Sequence, residues 1–356
     1  MAIVTIVGAG MMGSATAWPL ADNGHTVRLV GTHLDTAIIE SCQTRRFHPT
    51  LTRDLPAGVQ VFRAEAVAEA LAGAEIVVSG VNSNGVRWIG QAIGPHLRPG
   101  QMVIAVTKGL EADDEQGELC ILPDVLKRTL PDGIREEVRL AAIGGPCIAG
   151  ELAGRRRSCV VFGCRDADAV ERLAAAFRTT YYHVWTTTDL VGLEYCAALK
   201  NAYTLGVGLA LGLLEKAGGR DAAGAHMHNL AAALFGEACT EMERMLELVG
   251  GTRRFAYGLP GAGDLYVTSV GGRTIRCGTL LGKGHSMAEA RTILAGLTLE
   301  GAEIVRVLSR ALPKLVQDGR LKPEELPLLR ALVDVVVHGR PAAIAADAFF
   351  GGTGRV

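Results

Sequence analysis

The sequence predicts a doubly wound α/β domain followed by an all-α domain. Three observations predict it. Short apolar runs alternate with helix-compatible stretches from residue 3 to about residue 187. The first of these runs leads directly into a glycine-rich turn. From about Asp189 strand signals stop, and apolar residues recur at the three-to-four spacing of amphipathic helices.

The first element is the apolar run Ile3 to Val7, with Gly8, Gly10 and Gly13 close behind and a helix-compatible stretch from Met11 to about Ala21. Pro19 is expected to kink that helix near its end. Strand, tight glycine turn and helix together form the pattern of a dinucleotide pyrophosphate site in a Rossmann-like domain. The first glycine permits the turn, the second lets the backbone approach the phosphates, and the third lets the helix pack on the strand. The helix start then points free N–H groups at the anion. A structural glycine turn is the plainer alternative.

Thr26 to Val30 forms the second strand. An acid at that strand's end usually holds the ribose hydroxyls of NAD. Here Gly31, Thr32 and His33 occupy the end, with Asp35 just beyond, so no acid is well placed. The cofactor is left as NAD, NADP or both. Further strands are expected at Val59–Phe62, Glu75–Ser79, Met102–Val106, Val138–Ile143, Ser158–Gly163 and Tyr182–Thr186, with helices at Ala64–Leu71 and Ala167–Phe177. Several strands end in small or polar residues: Val81-Asn-Ser-Asn84, Thr107-Lys-Gly109 and Gly144-Gly-Pro-Cys147. Such strand ends suit a ligand crevice. Helices are expected at Leu190–Leu214, Ala222–Val249, Glu300–Leu312 and Glu324–Val337. The domains are accordingly 1–187 and 188–356.

Composition narrows the function classes. The chain has 356 residues, 49% hydrophobic and 21% charged, which supports a large core and two domains. Its formal net charge is −1, which gives no electrostatic reason to expect nucleic acid or a membrane surface as partner. None of the eight cysteines forms a CxxC pair, so buried reduced thiols are expected. The apolar run Tyr203 to Leu214 is shorter than a bilayer span. The first strand, starting about Ala2, leaves no room for a signal peptide ahead of it, and a cytoplasmic protein is expected.

Three segments could carry chemistry. Lys108 follows a buried strand at the crevice end, where it could meet a phosphate or a carbonyl oxygen, or stand as a surface-loop lysine. Lys200 sits among small and apolar helix residues in Cys196-Ala-Ala-Leu-Lys-Asn201. A lysine there is costly to bury unless it is paired or working as a proton donor, although a snorkelling stem would also fit. Asp264, in Gly261-Ala-Gly-Asp-Leu265, could act in the site or simply cap a helix. Arg273 and Arg276 could clamp a phosphate or form a solvated basic turn. His226-Met-His228 lacks a partner cluster and Arg155-Arg-Arg157 reads as a surface run, so no metal site is expected.

Seven segments in order resemble the NAD(P)-dependent glycerol-3-phosphate dehydrogenases: Gly8–Gly13, Thr107–Glu111, Gly145–Leu152, Ala198–Asn201, Gly261–Leu265, Arg273–Gly278 and Leu299–Gly301. The resemblance covers nearly the whole chain. It implies that Gly8, Gly10, Met11, Met12 and Gly13 cradle the pyrophosphate, with Ala149, Glu300, Lys108 and Arg273 also touching NAD or NADP. It implies Lys200 as proton donor, with Lys108 and Asp264 completing the catalytic cluster. Gly145, Cys147, Asn201, Thr268, Arg273 and Thr274 would join Lys108, Lys200 and Asp264 around a small phosphorylated or anionic substrate. It also implies a homodimer through the helical domain. Thr274 stands where the family usually has Asn, Cys147 where it has Ser or Thr, Glu237 where it has Arg, and Arg157-Ser158 where it has Pro-Thr. These departures leave open a related dehydrogenase of another small anionic polyol or ketone. A non-catalytic cofactor-binding regulator is the third reading.

Overall fold

The computed structural model describes residues 1–113, 118–220, 223 and 228–342. Its strands in chain order are β1 (Ile3–Val7), β2 (Thr26–Val30), β3 (Phe47–His48), β4 (Arg53–Asp54), β5 (Gln60–Phe62), β6 (Ile76–Ser79), β7 (Met102–Ala105), β8 (Leu110–Ala112), β9 (Leu119–Ile121), β10 (Arg139–Gly144), β11 (Ser158–Cys164) and β12 (Tyr182–Thr187). Eight of them form one sheet in the order β12-β11-β10-β7-β6-β1-β2-β5. Every neighbouring pair is parallel except β10 with β11. The sheet switches direction of travel at β1, beside β6, and the glycine turn leaves β1 at that point. Each expected strand appears within one residue of its bounds. Parallel strands covered on both faces are nearly continuous apolar runs, and those runs are easy to find in a sequence.

The chain divides into two compact units, Met1–Lys108 with Ile121–Glu194, and Gly109–Cys120 with Tyr195–Val356. The sequence alone predicts a break at 187, with 109–120 in the first domain. The division instead falls inside the helix Leu190–Lys216. The 109–120 excursion belongs with the second unit because its β8–β9 ribbon packs on the helix Glu300–Gln317.

In the first unit the core lies between the sheet and its helices. Ile6, Leu29, Val78, Ile104, Phe162 and Trp18 are all buried there. Phe162 meets Phe177 and Tyr182 edge-on, with ring centroids 5.2 and 6.3 Å apart. The helix after the glycine turn breaks at Thr16, not at Pro19. The Thr16 hydroxyl and N–H both return to the Gly13 carbonyl, at 2.6 and 3.1 Å, which closes the first segment. Pro19 then falls in the first turn of the second segment, Ala17–Asp22, where a missing N–H costs nothing.

The second unit's described elements are helices apart from the β8–β9 ribbon: Leu190–Lys216 from Tyr195 onward, Asn229–Leu248, Asp264–Ser269, Arg273–Lys283, Met287–Ile293, Glu300–Gln317 and Pro327–Val336. The expected start of the second helix at Ala222, and His226, lie outside the described residues. Leu190–Lys216 is long and apolar enough to cross a membrane, which the shorter run Tyr203–Leu214 is not. However, 83% of its most apolar window is buried within the protein, which marks a core helix. Its burial depends on close backbone packing. A Cβ on Gly208 would lie 2.8 Å from the Gly278 Cα, and one on Gly212 would lie 2.7 Å from the Gly282 Cα. Two glycines four apart on each helix thus let Leu190–Lys216 cross Arg273–Lys283 with backbones in contact. At the far end, the buried Glu241 carboxylate accepts from the Leu328 and Leu329 N–H groups and from the Tyr203 hydroxyl, at 2.5, 2.9 and 2.9 Å. It thereby caps Pro327–Val336, which has no side-chain cap of its own. All eight cysteines are free thiols.

Gly212→Ala forces a methyl to within 2.1 Å of the Thr279 carbonyl oxygen. The variant should lose roughly 1–3 kcal/mol of stability by overpacking. Chemical denaturation would measure this, and an unchanged midpoint would show that the two helices can separate without cost.

Candidate active site

The glycine turn begins with Gly8 at φ 109°, a conformation that favours glycine. A third glycine, Gly80, which follows β6, completes the crossing. Cβ atoms on Gly8 and Gly13 would lie 2.8 and 2.9 Å from Gly80 backbone atoms, and one on Gly80 would lie 2.6 Å from the Gly8 carbonyl oxygen. Gly10 differs: its nearest neighbour would be the Gly80 carbonyl oxygen at 3.5 Å, an ordinary contact. The fold therefore requires glycine at 8, 13 and 80, while Gly10 leaves room beside the turn, as a bound pyrophosphate needs. Met11, half exposed, and Met12 open the following helix.

Two side chains missed by the sequence reading hold this turn. Asp35, considered only as a ribose ligand, turns its Oδ2 onto the Ala9 N–H at 3.0 Å and the Thr32 N–H and hydroxyl at 2.8 Å each. His48, on β3, is fully buried and places Nε2 3.0 Å from the Ala9 carbonyl oxygen. His48 lies on the two-residue strand β3, too short for a sequence pattern, and Asp35 stands just past β2, where the strand-end pattern looks for a ribose ligand rather than a turn anchor.

Also in the first unit, Lys108 donates from Nζ to the Gly145 carbonyl oxygen at 3.3 Å. Gly145 takes φ 111° in the loop after β10. Cys147 is partly buried against the core, and Ala149 starts the helix Ala149–Ala153. Glu194, the last residue of this unit, is fully buried, and neither carboxylate oxygen has a hydrogen bond of good geometry among the described residues. Burial pushes its pKa up to about 8, eased down by the Lys108 charge and the Leu122 backbone.

The second unit assembles the remaining residues. Lys200 is 6% and Asp264 2% exposed. The Lys200 ammonium lies 3.0 Å from Asp264 Oδ1 and donates to Thr268 Oγ1 at 2.8 Å. Thr268 in turn donates to the Asp264 carbonyl oxygen at 2.7 Å, one turn back on the helix Asp264–Ser269. This fixes the hydroxyl oxygen as an acceptor facing Lys200. A buried ammonium and carboxylate in such contact compensate each other's lost hydration. Asn201 is 2% exposed, and its Nδ2 has no hydrogen-bond partner among the described residues. A buried donor without an acceptor is costly and suits a site awaiting a polar ligand.

Arg273 pairs with Glu300 at 2.6 Å, and Thr274 behind it is buried. Gly301 joins these segments: a Cβ there would lie 2.5 Å from the Asn201 carbonyl oxygen and 2.6 Å from Thr274 Cγ2. The structure thus gathers Lys200, Asn201, Asp264, Thr268, Thr274 and the Arg273–Glu300 pair in one unit, and the glycine turn, Lys108, Gly145, Cys147 and Ala149 in the other. Among the described residues, no three histidine, cysteine or acidic side chains group to hold a metal. Arg155 of the basic run pairs bidentately with Asp22 at 2.7 and 2.8 Å.

Comparison with known proteins places these sites in context. Residues 3–170 match the family model of the NAD-dependent glycerol-3-phosphate dehydrogenase N-terminus, and residues 189–347 that of its C-terminus. The chain is 38% identical over 288 residues to an NADP(+)-dependent glycerol-3-phosphate dehydrogenase of Archaeoglobus fulgidus, covering 81% of this chain and 82% of that one. It is 30% identical over 355 residues to a glycerol-3-phosphate dehydrogenase [NAD(P)+] of Bacillus cereus, covering 99% and 96% of the two chains. Among solved structures, glycerol-3-phosphate dehydrogenase from Coxiella burnetii shares the fold with a TM-score of 0.81 at 22% identity, over 98% of both chains.

Burial of Glu194 makes the folding equilibrium depend on pH. Its protonated form is favoured in the folded state, so its stabilising contribution is complete below the ordinary value of 4.5 and is lost as pH rises through about 8. Glu194→Gln removes the ionisation. The variant's melting temperature should therefore gain on the wild type between those two pH values and hold a constant lead above them. A lead that does not change with pH would mean that Glu194 does not titrate in this range.

Proposed function

Because the chain belongs to the NAD-dependent glycerol-3-phosphate dehydrogenase family, we propose that it interconverts dihydroxyacetone phosphate and sn-glycerol 3-phosphate with NAD or NADP. The observation that carries this reading is the buried Lys200–Asp264–Thr268 cluster, with the next residue, Asn201, burying an Nδ2 that has no hydrogen-bond partner among the described residues. Reduction of a ketone requires a proton for the oxygen and positive charge against the developing alkoxide. In this reading Lys200 Nζ holds that proton and delivers it to the carbonyl oxygen. Asp264 keeps the ammonium oriented and compensated, and Thr268 fixes a second Lys200 N–H. Asn201 Nδ2 donates to a substrate oxygen. Arg273, with Thr274 behind it, serves the phosphate end.

The first unit would bind the dinucleotide, and its residues fit that group. The Gly8–Gly13 turn leaves space at Gly10, and the helix from Met11 begins there. Ala149, at the start of its helix, would flank it. When bound, the nicotinamide supplies or accepts the hydride. Lys108, fixed on the Gly145 carbonyl, would meet the dinucleotide as a cation of the same unit. We also place the protein in the cytoplasm, consistent with its free thiols, and infer a homodimer through the second unit.

Purified protein should oxidise NADH or NADPH on addition of dihydroxyacetone phosphate, followed by absorbance. No turnover with either cofactor, despite cofactor binding, would overturn the substrate assignment and favour another small anionic ketone. Lys200→Ala should reduce the rate on the order of 10²–10⁴-fold and still bind cofactor. Undiminished turnover would remove Lys200 from the chemistry. Light scattering on the same preparation tests the dimer, and a monomeric mass would exclude it.

A further inference from the structure

We propose that His48 is a positioning residue for the cofactor: it locks the Ala9–Gly10 peptide so that the Gly10 N–H, and not the Ala9 carbonyl, faces the bound dinucleotide. This rests on the reading of the first unit as the cofactor-binding one.

The hydrogen bonds define the tautomer. The Leu51 backbone N–H can only donate, and it approaches His48 Nδ1 at 3.2 Å. Nδ1 must therefore carry a lone pair, and the Thr50 hydroxyl at 3.2 Å can add a second donor there. A neutral ring with an open Nδ1 carries its proton on Nε2. That proton points to the Ala9 carbonyl oxygen and to Ser14 Oγ, both 3.0 Å away. The Ala9 carbonyl can only accept, so the donor direction is settled there too. Burial agrees with this state. It is the largest influence on His48 and pushes its pKa below the ordinary histidine value, against the Ala9 carbonyl and the Asp35 charge.

The geometric consequence lies in the trans peptide. Its C=O and N–H point in opposite directions. With the Ala9 oxygen drawn inward to a fully buried imidazole, the Gly10 N–H is aimed away from the core, at the half-buried mouth of the turn. The preceding peptide is fixed as well, since the Ala9 N–H donates to Asp35 Oδ2 at 3.0 Å. The two peptides flanking Ala9 are thus held from the β2 end and from the β3–β4 ribbon, both outside the glycine motif. Gly10 has little steric restraint of its own, with no neighbour closer than 3.5 Å to a Cβ placed there. A glycine so free could turn its peptide over, and an outward carbonyl would repel a phosphate. His48 supplies the restraint that Gly10 lacks.

Two substitutions separate this role from simple packing. His48→Gln can place an N–H near the position of Nε2 and reach the Ala9 oxygen. His48→Asn, similarly polar, places its amide nearer the position of Nδ1 and cannot. NADPH affinity is read directly by fluorescence titration, without substrate. His48→Asn should weaken NADPH binding about tenfold or more, the consequence of one unpaired buried carbonyl. His48→Gln should bind within about threefold of wild type, and both should keep kcat and the substrate KM within about threefold at saturating cofactor. Equal NADPH affinity in wild type and His48→Asn would overturn the proposal, as would equal losses in substrate KM and cofactor affinity. Wild type failing to bind NADPH would instead sink the reading of the first unit. Should a variant not fold, nitrogen-15 histidine spectra of the wild type decide the matter. They should show His48 neutral and protonated on Nε2, with the proton exchanging slowly and shifting on NADPH addition. A proton on Nδ1 excludes the lock.

Discussion

The buried ion pair between Lys200 and Asp264 is the constraint around which the second unit is organised. Its two side chains are 7% and 3% exposed, so neither charge retains appreciable hydration. Such a pair survives only where both partners are held at contact distance and their remaining polar groups are satisfied. The unit achieves this by bringing backbones together. The helix bearing Lys200 crosses Arg273–Lys283 through paired glycines, and Gly301 brings the start of Glu300–Gln317 against the Asn201 carbonyl. Three segments far apart in sequence are thereby fixed relative to one ammonium group. Thr268, bonded back to the Asp264 carbonyl, adds the acceptor that orients it.

The first unit solves a related problem in a different way. An anion-binding turn must leave N–H groups unpaired, so it cannot be stabilised by using them. Its restraint has to come from the groups facing inward. Gly8, Gly13 and Gly80 provide the steric part by packing backbone on backbone. Asp35 and His48 provide the directional part by taking the Ala9 N–H and C=O. In both units glycines permit the approach, and a buried polar side chain then sets the orientation.

The sequence revealed the sheet far better than these orienting residues. Parallel strands are continuous apolar runs, so every long strand was found to within one residue. The β3–β4 and β8–β9 ribbons are two or three residues long, too short for any periodicity to register. The kink was placed at Pro19 because proline is the strongest local breaker, yet the Thr16 hydroxyl bond to Gly13 decided it. Lys200 and Asp264 were legible as charges set among small residues, and the family resemblance ordered them. His48, Asp35 and Glu194 were not. A histidine in an irregular segment, or a glutamate inside an apolar helix, gains its meaning from a partner distant in the chain. Gly80 was missed for the same reason, since only the crossing reveals its role.

The cations of the two units differ in how they are compensated. Arg273 faces Glu300 at 2.6 Å, Lys200 faces Asp264 at 3.0 Å, and the Lys108 charge is felt by the buried Glu194 carboxyl. Arg273 and Lys200 are thus each set against an ionised acid of their own unit, while Glu194, with its pKa raised to about 8, offsets little of the Lys108 charge near neutral pH. Selectivity must then come from directional donors at short range. Asn201 Nδ2, buried and without a hydrogen-bond partner among the described residues, is such a donor, and Thr274 is the buried side chain packed closest to the Gly301 contact. Its Cγ2 methyl is what faces Gly301, 2.6 Å from a Cβ placed there.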